Sequence, residues 1–289
     1  MKCFDCPVKC GKERSLEVGV CKAPYEMVVS HADLHLWEEP CISGTKGTGA
    51  IFFGGCNLNC VFCQNQVISG TGRGKKVDFK QLKQMIDELS KVAHTISFVT
   101  PSHYTRQLSE FLKIYKKDVK LPIIYNSSGY DDVESLKLLE GLVDVYLPDF
   151  KYMDSDLAYK YGARANYPQV AQQAIAEMLR QQPKTEFDDD GIVRRGVIIR
   201  HLVLPECLSN TKAVLQKIAS IDDNIFVSLM AQYFPSNKDL PYKNLLRILT
   251  QEEYDQAIDI FFDVGLKNGF EQEIVSADEV YVPKFNLID

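Results

Sequence analysis

Six short apolar runs, set between amphipathic stretches, constrain the fold more than any other feature of the chain. They are "AIFFG" (50–54), "TISFV" (95–99), "LPIIYN" (121–126), "LVDVYL" (142–147), "GVIIRHLVL" (196–204) and "IFVSLM" (225–230). All are rich in Ile, Val and Phe and mostly continuous rather than alternating, the pattern of strands buried on both faces of a parallel sheet. Between them, Phe79, Leu82, Ile86, Leu89 and Ala93 follow helical spacing behind Asp78, a good N-cap residue. Leu108, Phe111, Leu112 and Tyr115 repeat the pattern, as do Val170, Ala174, Ile175, Met178 and Leu179, and Thr250 with Glu253 predicts a capping box opening a last long helix. Six strand–helix units predict an α/β fold, either a partial TIM-type (βα)6 barrel or a doubly wound sheet. The expected division is a small cysteine-rich N-terminal extension over 1–48, the barrel over 49–270 and a C-terminal tail over 271–289.

The cysteines are distributed unevenly. Eight of the nine fall within the first 63 residues, and only Cys207 lies beyond. A disulfide framework has no reason to leave the rest of a chain bare, so these read as metal ligands in a reducing compartment. The N-terminus "MKCFDCPVKC" has no apolar signal-peptide core, and nothing approaches the ~18 consecutive apolar residues of a membrane span. The expectation is a soluble, cytoplasmic protein with no membrane partner. A net charge of −6 gives no polyanion-binding signal, so nucleic acid is not an expected partner.

In "GGCNLNCVFCQN" (54–65), Cys56, Cys60 and Cys63 follow the first apolar run directly. In a βα barrel that places them at the C-terminal ends of the strands, where chemistry resides. Four thiolates complete a [4Fe–4S] cluster for electron transfer. Three leave one iron open, as catalytic zinc sites keep one open position. Cys3, Cys6, Cys10 and Cys21 form a separate C-x2-C-x3-C-x10-C set with turn residues Pro7, Gly11 and Gly19. Such a set closes either a tetrahedral zinc site or a second iron–sulfur cluster, and suits a structural or electron-relaying role. Cys41 reads as a small buried apolar residue, and Cys207 carries no special signal. His31, His35, Glu38 and Glu39 lie in a segment that reads as β rather than helix, so they are assigned to structure.

The C-x3-C-x2-C spacing, with Phe62 before its last cysteine, resembles the signature of the radical S-adenosylmethionine (SAM) superfamily. Over "CISGTKGTGAIFFGGCNLNCVFCQN", "YNSSGY", "YLPDFKY", "RHLVLP" and "LMAQYFP" the chain is similar to proteins named pyruvate formate-lyase-activating-enzyme-like. The resemblance runs from about Cys3 to about Tyr254. It implies a [4Fe–4S] cluster on Cys56, Cys60 and Cys63, SAM bound to its open iron, and reductive cleavage to a 5′-deoxyadenosyl radical that abstracts a hydrogen atom. It also implies a partial (βα)6 barrel, an oxidoreductase of the activating-enzyme kind, and a low-potential electron donor such as flavodoxin or ferredoxin. A glycyl-radical enzyme or another protein substrate would be the partner.

Residue by residue, the resemblance puts Asp149 and Lys151 of "PDFK" beside the methionine part of SAM. The ammonium of Lys151 can pair with its carboxylate. Asn126, Ser127 and Ser128 occupy a polar turn near SAM, and Phe62 belongs to the cluster loop. Where the superfamily carries "GGE", this chain has "FVTPSHY", so hydroxyls such as that of Ser102, or backbone carbonyls, must take the SAM amino group. Arg200 and His201 lie inside an apolar strand where unpaired charge is expensive, so they face SAM or substrate, or form a buried structural pair. Gln64, Asn65, Gln232 and Tyr233 are further candidates for the pocket wall. Two other functions are open at this point: radical chemistry on a small-molecule substrate, and a non-enzymatic iron–sulfur electron carrier.

Overall fold

Each of the six apolar runs forms a strand of one sheet in the computed structural model, which describes residues 2–162, 164–236, 239–272 and 285. The strands are β1 (Val28–His35), β2 (Thr48–Phe53), β3 (Lys75–Lys76), β4 (Thr95–Val99), β5 (Ile123–Ser127), β6 (Val145–Pro148), β7 (Glu186–Phe187), β8 (Val193–Leu202), β9 (Phe226–Met230) and β10 (Asn268–Glu271). Their order is β10-β9-β8-β6-β5-β4-β2-β1-β3, with β7 pairing β8 off this path. From β10 to β2 every pairing is parallel. β1 turns back antiparallel on β2, β3 pairs antiparallel with β1, and the sheet does not close.

Two features differ from the sequence reading. β10 is a seventh parallel strand, too short and too polar in "NGFE" to be read as one. Residues 28–47, assigned above to the extension, belong to the barrel: β1 is a sheet strand, and the short helix Pro40–Ser43 plugs the lumen. Apart from Glu271, Gln272 and Phe285, the expected tail 271–289 lies outside the described residues.

The parallel register sorts the side chains into two layers, because neighbouring residues on a strand point to opposite faces. One rung pairs Phe52, Val99, Asn126 and Leu147 across β2, β4, β5 and β6. The next includes Asp149, Arg200 and Ser228. The lower lumen is filled by Cys41, Ile42, Ile124, Val145, Leu147, Val193 and Ile198. The larger core lies on the other face, where Phe53, Phe98, Tyr125, Tyr146 and Ile199 pack under the surrounding helices. Strands buried on both faces have no polar side, which is why their sequences run apolar without alternation. The helices begin as expected: Asp78 with Gln81 and Thr250 with Glu253 both form capping boxes, at the starts of helices Phe79–Ser90 and Gln251–Asp263.

Candidate functional site

The polar upper rung and the loop after β2 enclose a cavity of about 640 Å³ in the lumen. Cys56, Cys60 and Cys63 line it from one side and Asn126, Ser128, Asp149, Lys151 and Arg200 from the other. The cysteine loop is held by backbone hydrogen bonds. Asn59 N donates to Gly162 O (3.2 Å), Val61 N to Tyr161 O (2.9 Å), and Gly55 N to Ile68 O (3.0 Å). Phe62 packs edge-on against Tyr161 and Tyr233, with ring centroids 6.3 and 5.9 Å away. Its ring therefore braces the loop from inside the barrel.

The donor set suits a cationic iron–sulfur group. Burial raises the Cys60 thiol to about 12, the nearby ammonium of Lys151 opposing the effect. Cys56 is raised further by burial, with Cys60 and Cys63 adding to the shift. Thiols this dry do not ionise unaided, and metal binding displaces their protons. Among the described residues no three Cys, His, Asp or Glu side chains converge to hold a single ion. Cys56, Cys60 and Cys63 nonetheless line one cavity together, the placement that ligands to separate irons of one cluster need. The trio fits a cluster.

Opposite it lies a charged network. Lys151 Nζ donates to Asp149 Oδ2 (2.5 Å), and Arg200 Nε donates to Asp149 Oδ1 (2.8 Å). Arg200 also reaches Glu38 Oε2 (3.1 Å) and Asn126 Oδ1 (2.7 Å), and Asn126 Nδ2 donates to Glu38 Oε1 (3.2 Å). Burial pushes the Asp149 carboxyl up, but Arg200 and Lys151 outweigh it and hold it below its ordinary value. Burial likewise disfavours the Lys151 ammonium, and Asp149 and Cys60 more than restore it. Lys151 therefore stays charged with two N–H bonds beyond the one given to Asp149.

Sequence reasoning placed Glu38 and Glu39 in plain structure. Both line the cavity, carried into the lumen by the turn before Pro40. Glu39 is buried, and among the described residues its Oε2 has no hydrogen-bond partner. Burial lifts its pKa to about 7, Arg200 opposing and Glu38 reinforcing. Only the fold reveals this pair, because the short helix that positions it has no periodic signal. Thr100 was also undervalued. It lines the cavity at the end of β4 with φ +58, a left-handed conformation that a β-branched residue rarely adopts.

Two expected site residues are corrected. His201 does not line the cavity: it follows Arg200 by one position and so points to the opposite face. Its Nδ1 lies 2.7 Å from Phe150 O and its Nε2 3.0 Å from Thr211 Oγ1. Burial lowers its pKa to about 4, so it is a neutral core group. Ser102 is buried outside the cavity, one turn before helix Thr105–Tyr115, where its carbonyl accepts from Thr105 Oγ1. Its neighbour His103 supports the cluster loop from behind, with Nε2 2.9 Å from Gly54 O. Gln64, Asn65, Gln232 and Tyr233 do line the cavity, and Gln64 Nε2 donates to Gln232 O (3.2 Å). Cys41 is buried among the apolar lumen residues, and Cys207 lies 3.9 Å from Tyr161 Oη.

The four N-terminal cysteines gather on the outer side of the cluster loop. Cys3, Cys6 and Cys21 are buried and Cys10 is half-buried. The backbone loops around them, with Cys3 N donating to Lys12 O (2.9 Å) and Lys9 N to Cys6 O (3.0 Å). Asp5 anchors the module to the barrel, its Oδ1 accepting from Arg106 Nε (2.9 Å) and its carbonyl from Ser135 Oγ (2.8 Å).

The family model described as the Radical SAM superfamily matches residues 50–187. An uncharacterized protein of Methanocaldococcus jannaschii, MJ0674, is 31% identical over 266 residues, covering 89% of this chain and 73% of its own. Among solved structures, Streptococcus suis SuiB bound to S-adenosylmethionine superposes with a TM-score of 0.52 at 10% identity, over 78% of this chain and 50% of SuiB. HydG, a maturase of the [FeFe]-hydrogenase, gives 0.51 at 13% identity, over 80% of this chain and 53% of HydG. This chain thus spans about half of each of these two structures, and at such identities the likeness is one of fold.

Proposed function

Because the chain belongs to the radical SAM superfamily, we propose that its cavity binds SAM between the Cys56–Cys60–Cys63 loop and the Asp149–Lys151–Arg200 network, and that SAM is cleaved there to a radical that takes hydrogen from a substrate. The observation that carries this reading is that three thiols of one loop and a charged lysine line one cavity. When bound to those thiols, a [4Fe–4S] cluster supplies the electron for SAM cleavage and an iron free to hold the SAM amino and carboxylate groups.

The remaining work falls to the chain. Lys151 offers its two uncommitted N–H bonds to the SAM carboxylate, and Asp149 keeps that ammonium charged. Thr100, at the position of the missing "GGE", lines the cavity and would offer its carbonyl or hydroxyl to the SAM amino group. Ser128 and Asn126 form the polar wall beside it, and Arg200 fixes Asn126 and Asp149 in place. Phe62, against Tyr161 and Tyr233, steadies the loop that carries the thiols.

The hydrogen donor in this reading is a polypeptide glycine, as for an activating enzyme. What supports a macromolecular substrate is that the described sheet does not close, with His35 of β1, next to one edge, and Phe270 and Glu271 of β10, at the other, in the cavity wall. A small polar substrate is the second reading, favoured by Glu39 in the cavity wall, whose Oε2 has no hydrogen-bond partner among the described residues. A reduced flavodoxin or ferredoxin supplies the electron, in keeping with nine free cysteines and a cytoplasmic setting. Among the described residues no helix is long and apolar enough to cross a membrane.

The test is anaerobic. After loading with iron and sulfide and reduction, the wild type is expected to convert SAM to 5′-deoxyadenosine and Cys56→Ala is not. A full cluster that neither binds nor cleaves SAM would leave the electron-carrier function. Deuterium appearing in 5′-deoxyadenosine from a glycine-labelled candidate protein separates the two substrate readings.

A further inference from the structure

Resting on the SAM-binding reading above, we infer that Tyr167 is a positioning residue of that site: from behind the cavity wall, its single hydroxyl sets the spacing between the Ser128 turn and the Asp149–Lys151 loop.

Tyr167 opens helix Tyr167–Gln181, with Pro168 supporting the first turn behind it. The residue is wholly buried and does not line the cavity. Its ring stacks on Tyr130, with centroids 6.1 Å apart, and meets Tyr152 edge-on at 5.5 Å. Packing on two sides therefore fixes where the hydroxyl sits.

That place is a junction. Tyr167 Oη accepts from Lys151 N (2.9 Å) and lies 2.8 Å from both Ser128 O and Asp149 O. A phenol has one proton, which the two carbonyls share, and lone pairs that accept the amide. A buried tyrosine needs one partner, and this one has three, drawn from two loops. All three backbone groups lie just past the ends of β5 and β6. The pairing of those strands runs to Ser127 and Pro148, and Asp149 N donates to Ser127 O (2.9 Å). Beyond that point the hydroxyl joins the two chains. They approach closely here: Gly129 has φ +72, and a Cβ on it would fall 2.2 Å from Asp149 O.

The consequence lies on the other side of the wall. Ser128, Asp149 and Lys151 all line the cavity. Arg200 and the Lys151 ammonium hold the Asp149 carboxylate from within it. Tyr167 holds the same stretch by its backbone. Lys151 is gripped twice, its N–H by Tyr167 and its carbonyl by Asn210 Nδ2 (2.9 Å) of helix Leu208–Ile221. The Lys151 side chain thus starts from a fixed root before SAM arrives. A loop ordered in advance spares the ordering cost that binding would otherwise carry. Without the hydroxyl, Lys151 N becomes a buried donor lacking its acceptor, and the loop must shift to satisfy it.

The test is Tyr167→Phe in the full chain, loaded anaerobically with iron and sulfide. Tyr146→Phe is the control, because it removes a buried hydroxyl bonded to Gln181 at the other end of the same helix. SAM affinity is measured by equilibrium dialysis before reduction. Tyr167→Phe is expected to keep the wild-type iron content and to weaken SAM binding about tenfold. The KM for SAM in 5′-deoxyadenosine formation is expected to rise by the same factor, with kcat within about twofold of the wild type. Tyr146→Phe is expected to lose stability in urea and to keep wild-type affinity. In the unloaded protein, hydrogen exchange at residues 149–153 is expected to quicken in Tyr167→Phe alone, with β5 and β6 still protected. Gly129→Ala, which leaves the hydroxyl in place and drives Asp149 O off the turn, is expected to weaken SAM binding at least as much. Should Tyr167→Phe fail to fold, wild-type affinity in Gly129→Ala overturns the positioning role. Wild-type affinity in a folded Tyr167→Phe, or an equal loss in Tyr146→Phe, overturns it directly. A fully loaded wild type that binds no SAM overturns instead the SAM-binding reading, and the positioning role falls with it.

Discussion

Arg200 serves three acceptors at once, Asp149, Glu38 and Asn126, from a single position in β8. Removing it leaves Glu38 without a cation, and Asp149 with Lys151 alone, in a site where side chains are only 10–13% exposed. Losing one partner of a buried pair costs about 3–5 kcal/mol. Arg200→Ala is therefore expected to lower stability by that amount in urea, while Arg200→Lys, which keeps the charge but not the fork, loses less. Glu39 carries the opposite pH signature. Its pKa is raised by burial to about 7, above that of the unfolded chain, so the folded state holds a proton that the unfolded state has lost. Stability contributed at this position is thus highest below about pH 4.5 and falls as pH rises toward 7, by an amount on the order of 1–3 kcal/mol. Glu39→Gln is expected to flatten that part of the profile and to be more stable than the wild type at pH 8. An unaltered profile of urea midpoints against pH would show that Glu39 is ionised at no cost.

At the scale of elements, the cluster loop depends on a turn far away in sequence. Gly162 has φ +88, and a Cβ there would fall 1.8 Å from Asn59 O. The same contact provides the Asn59 N to Gly162 O hydrogen bond. Gly162→Ala must therefore push the two segments apart and unseat the loop, while the strands, which do not pass through this contact, remain paired. Iron bound after loading is expected to fall several-fold, with the far-ultraviolet circular dichroism of the wild type retained. Full iron content would show that the loop tolerates the shift. What the sequence made legible at this scale follows from packing. Strands buried on both faces announce themselves as continuous apolar runs, and all six were visible. The same continuity hides which residue faces which way. Within "IIRHL" only the register with Asp149 and Ser228 tells that Arg200 enters the lumen and His201 the outer core. Glu38 and Glu39 were illegible for a related reason: their place is set by a four-residue helix plugging the barrel, and plugging is a tertiary event without a local pattern.

Across the whole molecule, the cluster loop is the point where otherwise separate parts meet. It bonds to Cys21 of the N-terminal module, to Ile68 beyond the loop, to Tyr161 and Gly162, and through Asn57 Nδ2 to Tyr130 O (2.8 Å). The lower lumen and the strands β5 and β6 hold together through apolar contacts that involve none of the cysteines of the cluster loop or the N-terminal module. Metal that binds the folded chain and not the unfolded one stabilises what it touches. Local opening, in turn, follows local contacts rather than global stability. Loading with iron and sulfide is therefore expected to slow hydrogen exchange in residues 3–24, 54–70 and 161–162, and to leave β5 and β6 as protected as before. If the four N-terminal cysteines carry a cluster of their own, the Cys56→Ala/Cys60→Ala/Cys63→Ala variant keeps the gain in residues 3–24 and loses it in 54–70. Loss of both together would mean that one cluster orders the entire region and that the N-terminal module folds as its dependant.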